Sequence, residues 1–215
     1  MIGQRAMLIG ASGLIGSLCL TRLLEEDEVK RVVVLTRRPL ERTHVKLVEH
    51  LTQFDRLTEQ SALFEVDTLF CCLGTTLKAA GSRDAFEKVD CGYVKKVAEL
   101  AAARNVRQFL LISAVGANLH SPIFYSRIKG RAEEAVRQLP FHSVHILRPS
   151  MLLGSRTQPR LNEEMIKPLA KIAMPLLVGP MRRLRPIQAE TVATMMVKLA
   201  KGKYSGVNIH YPSAL

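Results

Sequence analysis

The sequence predicts an α/β protein built on a doubly wound parallel sheet, with helices on both faces. Short apolar runs alternate with longer segments of helical periodicity along the 215 residues, which is typical of successive βαβ units. One of these runs, 32–35, is apolar at every position, as expected for a strand that is covered on both faces. Right-handed crossovers between such strands place their carboxyl ends at one edge of the sheet, where ligands bind.

The first half of the chain alternates strands and helices in a regular order. Short apolar runs predict strands at 6–10, 31–36 and 67–72, and a weaker one at 45–52. Apolar residues that recur three and four positions apart predict a helix at 14–26 and a longer helix at 84–104. The apolar stripe of the longer helix consists of Phe86, Val89, Val94, Val97, Leu100 and Ala101.

The second half begins with the same alternation and then loses it. We predict a strand at 109–113, a helix at 124–139 that Pro140 ends, and a strand at 143–147 that is followed by Pro149. Beyond Ser150 the pattern is looser, with a helix at 161–174, a second helix at 189–200 and a short strand at 207–210. Since 215 residues suffice for one buried core and are few for two ordinary domains, we expect residues 1–215 to form a single domain.

The composition limits which partners this protein can bind and in which compartment we expect it. The chain has 31 Lys and Arg against 19 Asp and Glu, a formal net charge of +12, which attracts anions of any kind. Only 5% of the residues are aromatic and none is tryptophan, which argues against nucleic-acid binding by base stacking. No apolar stretch approaches the roughly 18 residues of a membrane span, and residues 1–5 leave no room for a signal peptide. We therefore expect a cytoplasmic protein with no membrane partner.

The cysteines and histidines do not follow the spacing of a metal site, so we assign no metal ligand. Cys71 and Cys72 are neighbours on a predicted strand, where their side chains point to opposite faces. We interpret the four cysteines as small buried hydrophobic residues in a reducing compartment. The basic run of Arg182, Arg183 and Arg185 has three open interpretations: a solvated face, a contact for an anionic substrate or a nucleic-acid patch.

Three glycines follow the first predicted strand in the spacing G-x-x-G-x-x-G and open the first predicted helix. Gly10 permits a tight turn, Gly13 lets the backbone approach a pyrophosphate, and Gly16 lets the helix pack closely on the strand. The amino end of the helix then offers free N–H groups and a positive dipole to the anion. The alternative is a plain turn without a ligand. We assign dinucleotide contacts to the whole turn: Gly10, Ala11, Ser12, Gly13, Leu14, Ile15 and Gly16.

The end of the second predicted strand indicates which dinucleotide is bound. NAD sites usually carry Asp or Glu there, to accept hydrogen bonds from the ribose hydroxyls. This chain has Thr36, followed by Arg37 and Arg38, whose guanidinium groups accept no hydrogen bonds and suit a 2′-phosphate. We therefore favour NADP(H) over NAD(H). The alternative is that both arginines are solvated loop charges.

Tyr125 and Lys129 are candidates for proton chemistry. Their spacing of four places both side chains on one face of the predicted helix, and Ser113 ends the preceding strand at the ligand-binding edge. A phenol has an ordinary pKa near 10 and needs a nearby ammonium group to act at neutral pH. We expect Tyr125 to exchange a proton with a substrate, Lys129 to assist it, and Ser113 to hold the substrate oxygen. A purely structural Tyr125 is the alternative.

Several segments complete a pattern that resembles a known family. The glycine turn, Ser113, Tyr125 and Lys129 occur together with the segments 72–76, 88–90, 125–130 and 147–156 in the right order. This arrangement resembles the short-chain dehydrogenase/reductase superfamily, specifically its atypical, Tat-interacting-protein-like branch and small bacterial relatives. The resemblance extends from residue 6 to about residue 156.

The resemblance implies an NADP(H)-binding Rossmann fold with a small C-terminal cap on the substrate side, formed by residues 151–206. It implies Ser113, Tyr125 and Lys129 as the catalytic set. It also implies three groups of cofactor contacts: Leu73, Gly74 and Thr75 beside the adenosine or ribose, Phe54 and Asp55 near the adenine, and Pro149, Ser150 and Met151 near the nicotinamide. One departure is that the family's relay asparagine, on the long middle helix, is matched here by Asp90.

We expect an NADP(H)-dependent oxidoreductase that acts on a small carbonyl or alcohol substrate. The alternative is an NADP(H)-binding regulatory or redox-sensing protein without significant turnover, since relatives in this family act in both ways. A weaker third hypothesis is nucleic-acid binding driven by the net charge of +12. A homo-oligomer or a protein partner is compatible with all of these.

Overall fold

A parallel sheet of seven strands forms the centre of the computed structural model, which describes residues 3–154 and 185–212. The spatial order of the strands is β3-β2-β1-β4-β5-β6-β9. They comprise β1 (Arg5–Ile9), β2 (Arg31–Thr36), β3 (Leu47–Leu51), β4 (Thr68–Cys71), β5 (Gln108–Ile112), β6 (Ser143–Leu147) and β9 (Gly206–His210). Each neighbouring pair runs parallel. The predicted α/β class with a doubly wound parallel sheet is therefore confirmed.

Among the described residues, two helices cover one face of the sheet and three helical segments cover the other. The first face carries α1 (Leu14–Glu25) and α6 (Ala189–Lys201), whose apolar sides share one core. The second face carries a 3₁₀ helix (Phe54–Phe64), α4 (Val94–Ala103) and α5 (Phe124–Arg137). Successive side chains of β1 point to opposite faces of the sheet. Leu8 therefore belongs to the core of the first face and Met7 to the core of the second.

The long middle helix predicted at 84–104 is divided into three parts. It consists of α3 (Arg83–Glu87), a π-helical turn (Lys88–Tyr93) and α4. The wider π turn changes the direction in which the following side chains project, and such turns are frequent at functional sites. Asp90 lies on this turn and is completely buried, which no apolar periodicity could have indicated.

Three smaller elements were not predicted. The 3₁₀ helix has only three buried side chains and two kinks, at Arg56 and Gln60, so its periodicity is weak. The one-turn helix α2 (Leu77–Ala80) buries no residue. A second sheet pairs β7 (Leu152–Leu153) with β8 (Ile187–Gln188). The helix predicted at 161–174 and the residues Arg182 and Arg183 lie outside the described residues.

The cysteines are free thiols. Cys19 and Cys71 are buried, as predicted, whereas Cys72 and Cys91 are partly exposed. Burial raises the pKa of Cys71 to about 12, so this thiol stays protonated at neutral pH.

Candidate functional site

The glycine turn between β1 and α1 has the geometry of an anion-binding cradle. Gly10 has a φ of +85°, and a Cβ there would lie 2.5 Å from the carbonyl oxygen of Cys72. A Cβ at Gly16 would lie 2.1 Å from the carbonyl oxygen of Gly10. Both positions therefore require glycine, the first for its backbone conformation and the second for the close approach of α1.

The amino end of α1 is left open for a ligand. Gly13 precedes the helix in an extended conformation, and no side chain caps α1. The first N–H groups of a helix lack intrahelical acceptors and carry a partial positive charge, which favours a phosphate at this end. Gly13 is also exposed, so its backbone is accessible. The residues present thus fit the diphosphate of a dinucleotide.

The carboxyl end of β2 carries no acidic residue. The Thr36 hydroxyl donates to the carbonyl oxygen of Arg38 at 2.8 Å, which folds the chain back after the strand. The side chains of Arg37 and Arg38 are exposed, next to the cradle in the order of the sheet. The structure therefore places both predicted arginines at the edge where the glycine turn lies.

Asp55 belongs to a polar cluster with Lys88 and Tyr93. Of these three, the sequence predicted only Asp55 as a site residue. Its Oδ1 accepts a hydrogen bond from the hydroxyl of Tyr93 at 3.0 Å and lies 2.8 Å from Nζ of Lys88. The hydrogen bonds from Lys88 and then Tyr93 lower the pKa of Asp55. Phe54, assigned with it to the adenine, is buried and packs against the ring of Tyr93, with centroids 5.3 Å apart.

Lys129 forms a buried ion pair with Asp90. The distance from Nζ to Oδ1 is 2.6 Å, and the two side chains are 7% and 0% exposed. The other carboxylate oxygen of Asp90 accepts a hydrogen bond from the backbone N–H of Thr75 at 2.8 Å. A Cβ at Gly74 would lie 3.5 Å from both charged groups. The chain after β4, the π turn and α5 therefore meet at this pair.

The charge state of Lys129 depends on two opposing effects. Burial lowers the pKa of Lys129, but the charges of Asp90 and Tyr125 and the hydrogen bond to Asp90 raise it by more, so the net shift is upward. Lys129 is therefore an ammonium group at neutral pH, close to the phenol of Tyr125. Sequence reasoning named Asp90 as a departure from the family pattern, but only the structure shows its partner.

Tyr125 is the accessible member of the predicted catalytic set. Its side chain lies one turn before Lys129 on the same face of α5, and 38% of the residue is exposed. Its ring packs against Phe86 of α3, with centroids 5.7 Å apart. The phenol is thus anchored at its ring and open to solvent.

Ser113 follows β5 at the predicted edge, and its hydroxyl has a partner within the protein. It is 4% exposed, and its hydroxyl donates to Oε1 of Glu133 at 2.5 Å. Glu133 is held by a fork from Arg148, with Nε 2.9 Å from Oε1 and a second bond to Oε2. This buried network joins the ends of β5 and β6 to α5. A hydroxyl that donates to Glu133 cannot also donate to a substrate carbonyl, and the catalytic role of Ser113 stays a prediction.

The residues assigned to the nicotinamide follow β6 at the same edge. The carbonyl of Pro149 accepts a hydrogen bond from the N–H of Val115 at 2.9 Å, and the Ser150 hydroxyl donates to the carbonyl of Arg185. Met151 is 41% exposed, and in the β5–α5 connection Leu119 is 39% exposed and Ile123 is 64% exposed. Exposed apolar side chains therefore occur in the connections that follow β5 and β6 at this edge.

Comparison with known sequences identifies relatives of this chain. The model of a family described as NAD(P)H-binding matches residues 10–173. The rat protein HTATIP2 is 35% identical over 167 residues, which cover 76% of this chain and 69% of that protein. Protein FMP52-1, mitochondrial, of Scheffersomyces stipitis is 35% identical over 155 residues, which cover 70% and 68%. These matches confirm the resemblance that the motifs indicated.

Comparison with solved structures agrees on the fold. MoeE5 in complex with UDP-glucose and NAD superposes with a TM-score of 0.76 at 19% identity, covering 97% of this chain and 76% of that chain. UDP-glucose 4-epimerase of Thermotoga maritima, solved with UDP-glucose, superposes with a TM-score of 0.71 at 14% identity, covering 96% and 76%. At these identities the likeness concerns the fold alone.

Two predictions of absence concern the whole chain and stay predictions. Among the described residues, no cluster of His, Cys, Asp and Glu has the geometry of a metal site, and no described helix is long and apolar enough to cross a bilayer. Fungal relatives are named mitochondrial, so the predicted cytoplasmic location stays a prediction too.

Proposed function

This chain belongs to the NAD(P)H-binding family of atypical short-chain dehydrogenases/reductases, and we propose that it uses NADP(H) to reduce or oxidise a small carbonyl or alcohol substrate. One observation carries the proposal. The glycine cradle, the buried Lys129–Asp90 pair and the exposed phenol of Tyr125 lie at the same edge of the sheet. The residues that would hold a dinucleotide and those that would act on a substrate therefore share the edge at which doubly wound sheets bind ligands.

We assign a separate role to each group of residues at this site. The turn from Gly10 to Gly16 binds the diphosphate through backbone N–H groups and the dipole of α1. The bound dinucleotide supplies the hydride chemistry. Tyr125 gives a proton to the substrate oxygen, or takes one from it, at its hydroxyl. Lys129 stabilises the negative charge that develops on the phenol, since its ammonium is buried and fully charged.

Asp90 positions the ammonium group of Lys129, which is a different role from that of a relay asparagine. Its carboxylate is bound by Lys129 and by the backbone of Thr75, so it holds the ammonium at a defined position beside Gly74. In this interpretation Asp90 is a positioning residue, and it reaches the substrate only through Lys129 and Tyr125.

The preference for NADP(H) rests on the carboxyl end of β2. Thr36 replaces the carboxylate that would accept bonds from a free ribose hydroxyl, and two exposed guanidinium groups follow it. Guanidinium groups bind phosphate through paired, charge-assisted hydrogen bonds. The exposed apolar side chains of Leu119, Ile123 and Met151, in the connections after β5 and β6, favour a substrate whose carbonyl is attached to an apolar group.

A regulatory role without turnover is the second candidate function. The observation that favours it is the hydrogen bond from Ser113 to Glu133, because a hydroxyl held in this way is not offered to a substrate oxygen. In that case the same cradle binds NADP(H), and the cofactor changes the surface that another protein contacts.

Replacement of Tyr125 by Phe separates the two functions. If the protein is an oxidoreductase, Tyr125→Phe lowers turnover of a carbonyl panel by about 100-fold or more, the scale of general acid catalysis, and leaves the Kd for NADPH nearly unchanged. Tyr204→Phe is the matched control, because Tyr204 is exposed to a similar degree and packs on His145 instead. NADPH binding without turnover of any carbonyl by the wild type would favour the regulatory function.

A further inference from the structure

A cavity of about 410 Å³ opens beside the carboxyl ends of β2 and β3. Its lining includes Arg37, Thr52, Gln53, Arg56, Glu59 and Gln60, and we call it the Arg37–Arg56 pocket. Arg38, which was predicted together with Arg37, is not among the residues that line it. The two arginines of the β2 loop therefore have different surroundings.

The pocket contains buried polar atoms that lack partners. Thr52 is 7% exposed, and within the described residues its hydroxyl makes no hydrogen bond; the same holds for the buried Oε1 of Gln60. Buried polar groups are nearly always paired, and leaving one unpaired destabilises the folded protein. A ligand that accepts a hydrogen bond from the Thr52 hydroxyl would remove this destabilisation.

The charge of the pocket selects an anion. Across residues 3–154 and 185–212, no ion pair joins Arg37 or Arg56 to a carboxylate. Glu59 is the one acidic residue of the lining, so the lining carries two basic residues and one acidic residue. Planar guanidinium groups that are not neutralised bind phosphate by paired hydrogen bonds.

The pocket is continuous with the predicted ribose end of the cofactor site. The backbone N–H of Thr52 donates to the carbonyl oxygen of Thr36 at 2.8 Å, which fixes Thr52 beside the peptide that leads into Arg37. The N–H of Arg56 donates to the carbonyl of Gln53 at 2.8 Å, and this turn returns Arg56 to the same side. The ribose of a dinucleotide bound at the cradle would lie at the end of β2, where Arg37 and Arg56 line the pocket.

We propose that the Arg37–Arg56 pocket receives the 2′-phosphate of NADP(H), with Arg56 and Thr52 as residues that determine cofactor specificity. The proposal rests on the proposed function, since it assumes that a dinucleotide binds at the glycine turn. It assigns the discrimination between NADP(H) and NAD(H) partly to Thr52 and Arg56 in the segment after β3, in addition to the end of β2. Arg37 contributes from the β2 side, and Arg38 contributes less.

The test compares ligands that differ only in the 2′-phosphate. Kd values for NADPH and NADH, and for 2′,5′-ADP and 5′-AMP, are measured by calorimetry on the wild type and on Arg56→Ala and Thr52→Val. A hydrogen bond to a charged group is worth about 1.5–3 kcal/mol, so Arg56→Ala should weaken NADPH and 2′,5′-ADP by roughly 10- to 100-fold. NADH and 5′-AMP should change by less than about twofold. Thr52→Val should give a smaller loss with the same selectivity, because it removes one uncharged donor.

Controls separate failure of this inference from failure of the proposed function. Arg31→Ala removes an exposed arginine at the opposite end of β2 and should leave all four Kd values unchanged. Equal weakening of NADPH and NADH by Arg56→Ala, or no weakening of either, would overturn the specificity assignment while dinucleotide binding stands. A wild type that binds neither dinucleotide would overturn the proposed function and this inference together. Folding of each variant is checked by its Tm without ligand.

Discussion

Nζ of Lys129 lies 2.6 Å from Oδ1 of Asp90, and neither side chain is more than 7% exposed. An ion pair this far from solvent is sensitive to the loss of either member, since the remaining charge is left buried without compensation. The pair joins α5 to the π turn, and through the N–H of Thr75 it also joins the chain that follows β4.

Asp90→Asn should therefore destabilise the fold strongly. The amide can still accept the hydrogen bond from Thr75 but no longer neutralises Lys129, and breaking a buried pair typically costs about 3–5 kcal/mol. Urea unfolding at pH 7 measures the free energy of unfolding. Asp27→Asn, at an exposed loop position, is the control. A loss for Asp90→Asn no larger than that of the control would mean that the pair contributes nothing to stability.

Ser113→Ala distinguishes a structural hydroxyl from a catalytic one. Because the hydroxyl donates to the buried carboxylate of Glu133, its removal should lower the free energy of unfolding by about 1.5–3 kcal/mol. We expect kcat/KM with a turned-over carbonyl to fall far less than in Tyr125→Phe. Losses of kcat/KM that match those of Tyr125→Phe, with unchanged stability, would instead support the predicted role of Ser113 in holding the substrate oxygen.

Gly16→Ala should remove dinucleotide binding. Its Cβ would lie 2.1 Å from the carbonyl oxygen of Gly10, so the backbone of the cradle must shift, at a cost of about 1–3 kcal/mol. Binding of NADPH, measured by fluorescence, should be lost in a protein that still folds. Gly92→Ala is the matched control, because the nearest atom to its Cβ would be 3.9 Å away. Full NADPH affinity in Gly16→Ala would contradict the cradle.

The histidine pair between β6 and β9 should make stability depend on pH. Nδ1 of His145 lies 3.0 Å from Nε2 of His210, and burial, followed by the charge of His210, lowers the pKa of His145 to about 4. Between an unfolded pKa of about 6.5 and this value, the unfolded chain binds the proton and the folded chain does not. Stability is therefore complete above pH 6.5 and falls as the pH drops toward 4, by up to about 1.4 kcal/mol per pH unit.

Urea unfolding between pH 4 and pH 7 tests this dependence. His145→Gln should reduce its slope by about one proton per molecule, whereas His142→Gln, at an exposed position, should leave the slope as it is. Burial also lowers the pKa of His210, so a residual slope is expected in the first variant. An unchanged slope in His145→Gln would show that His145 does not titrate in this range.

Local features of the sequence sufficed for most of the fold. The strands at 31–36 and 143–147 were predicted at the observed bounds, because a continuous apolar run has few alternatives to a strand that is covered on both faces. The cradle could also be predicted from the sequence. Glycine is required at Gly10 and Gly16 because of the backbone conformation of the turn and of neighbours close in sequence. The weak periodicity of the 3₁₀ helix and the register change at the π turn left those two segments without a readable signal.

By itself, the sequence determined the α/β class, the dinucleotide cradle and the pairing of Tyr125 with Lys129, because each depends on apolar runs or on spacings within one element. Only the tertiary structure decided which distant residues meet: Asp90 with Lys129, Glu133 with Ser113 and Arg148, and Arg56 with Arg37. These meetings depend on the order of strands in the sheet and on one wide helical turn. Polar residues carry no periodic signal of their own, so their partners become visible only when packing brings separate elements together.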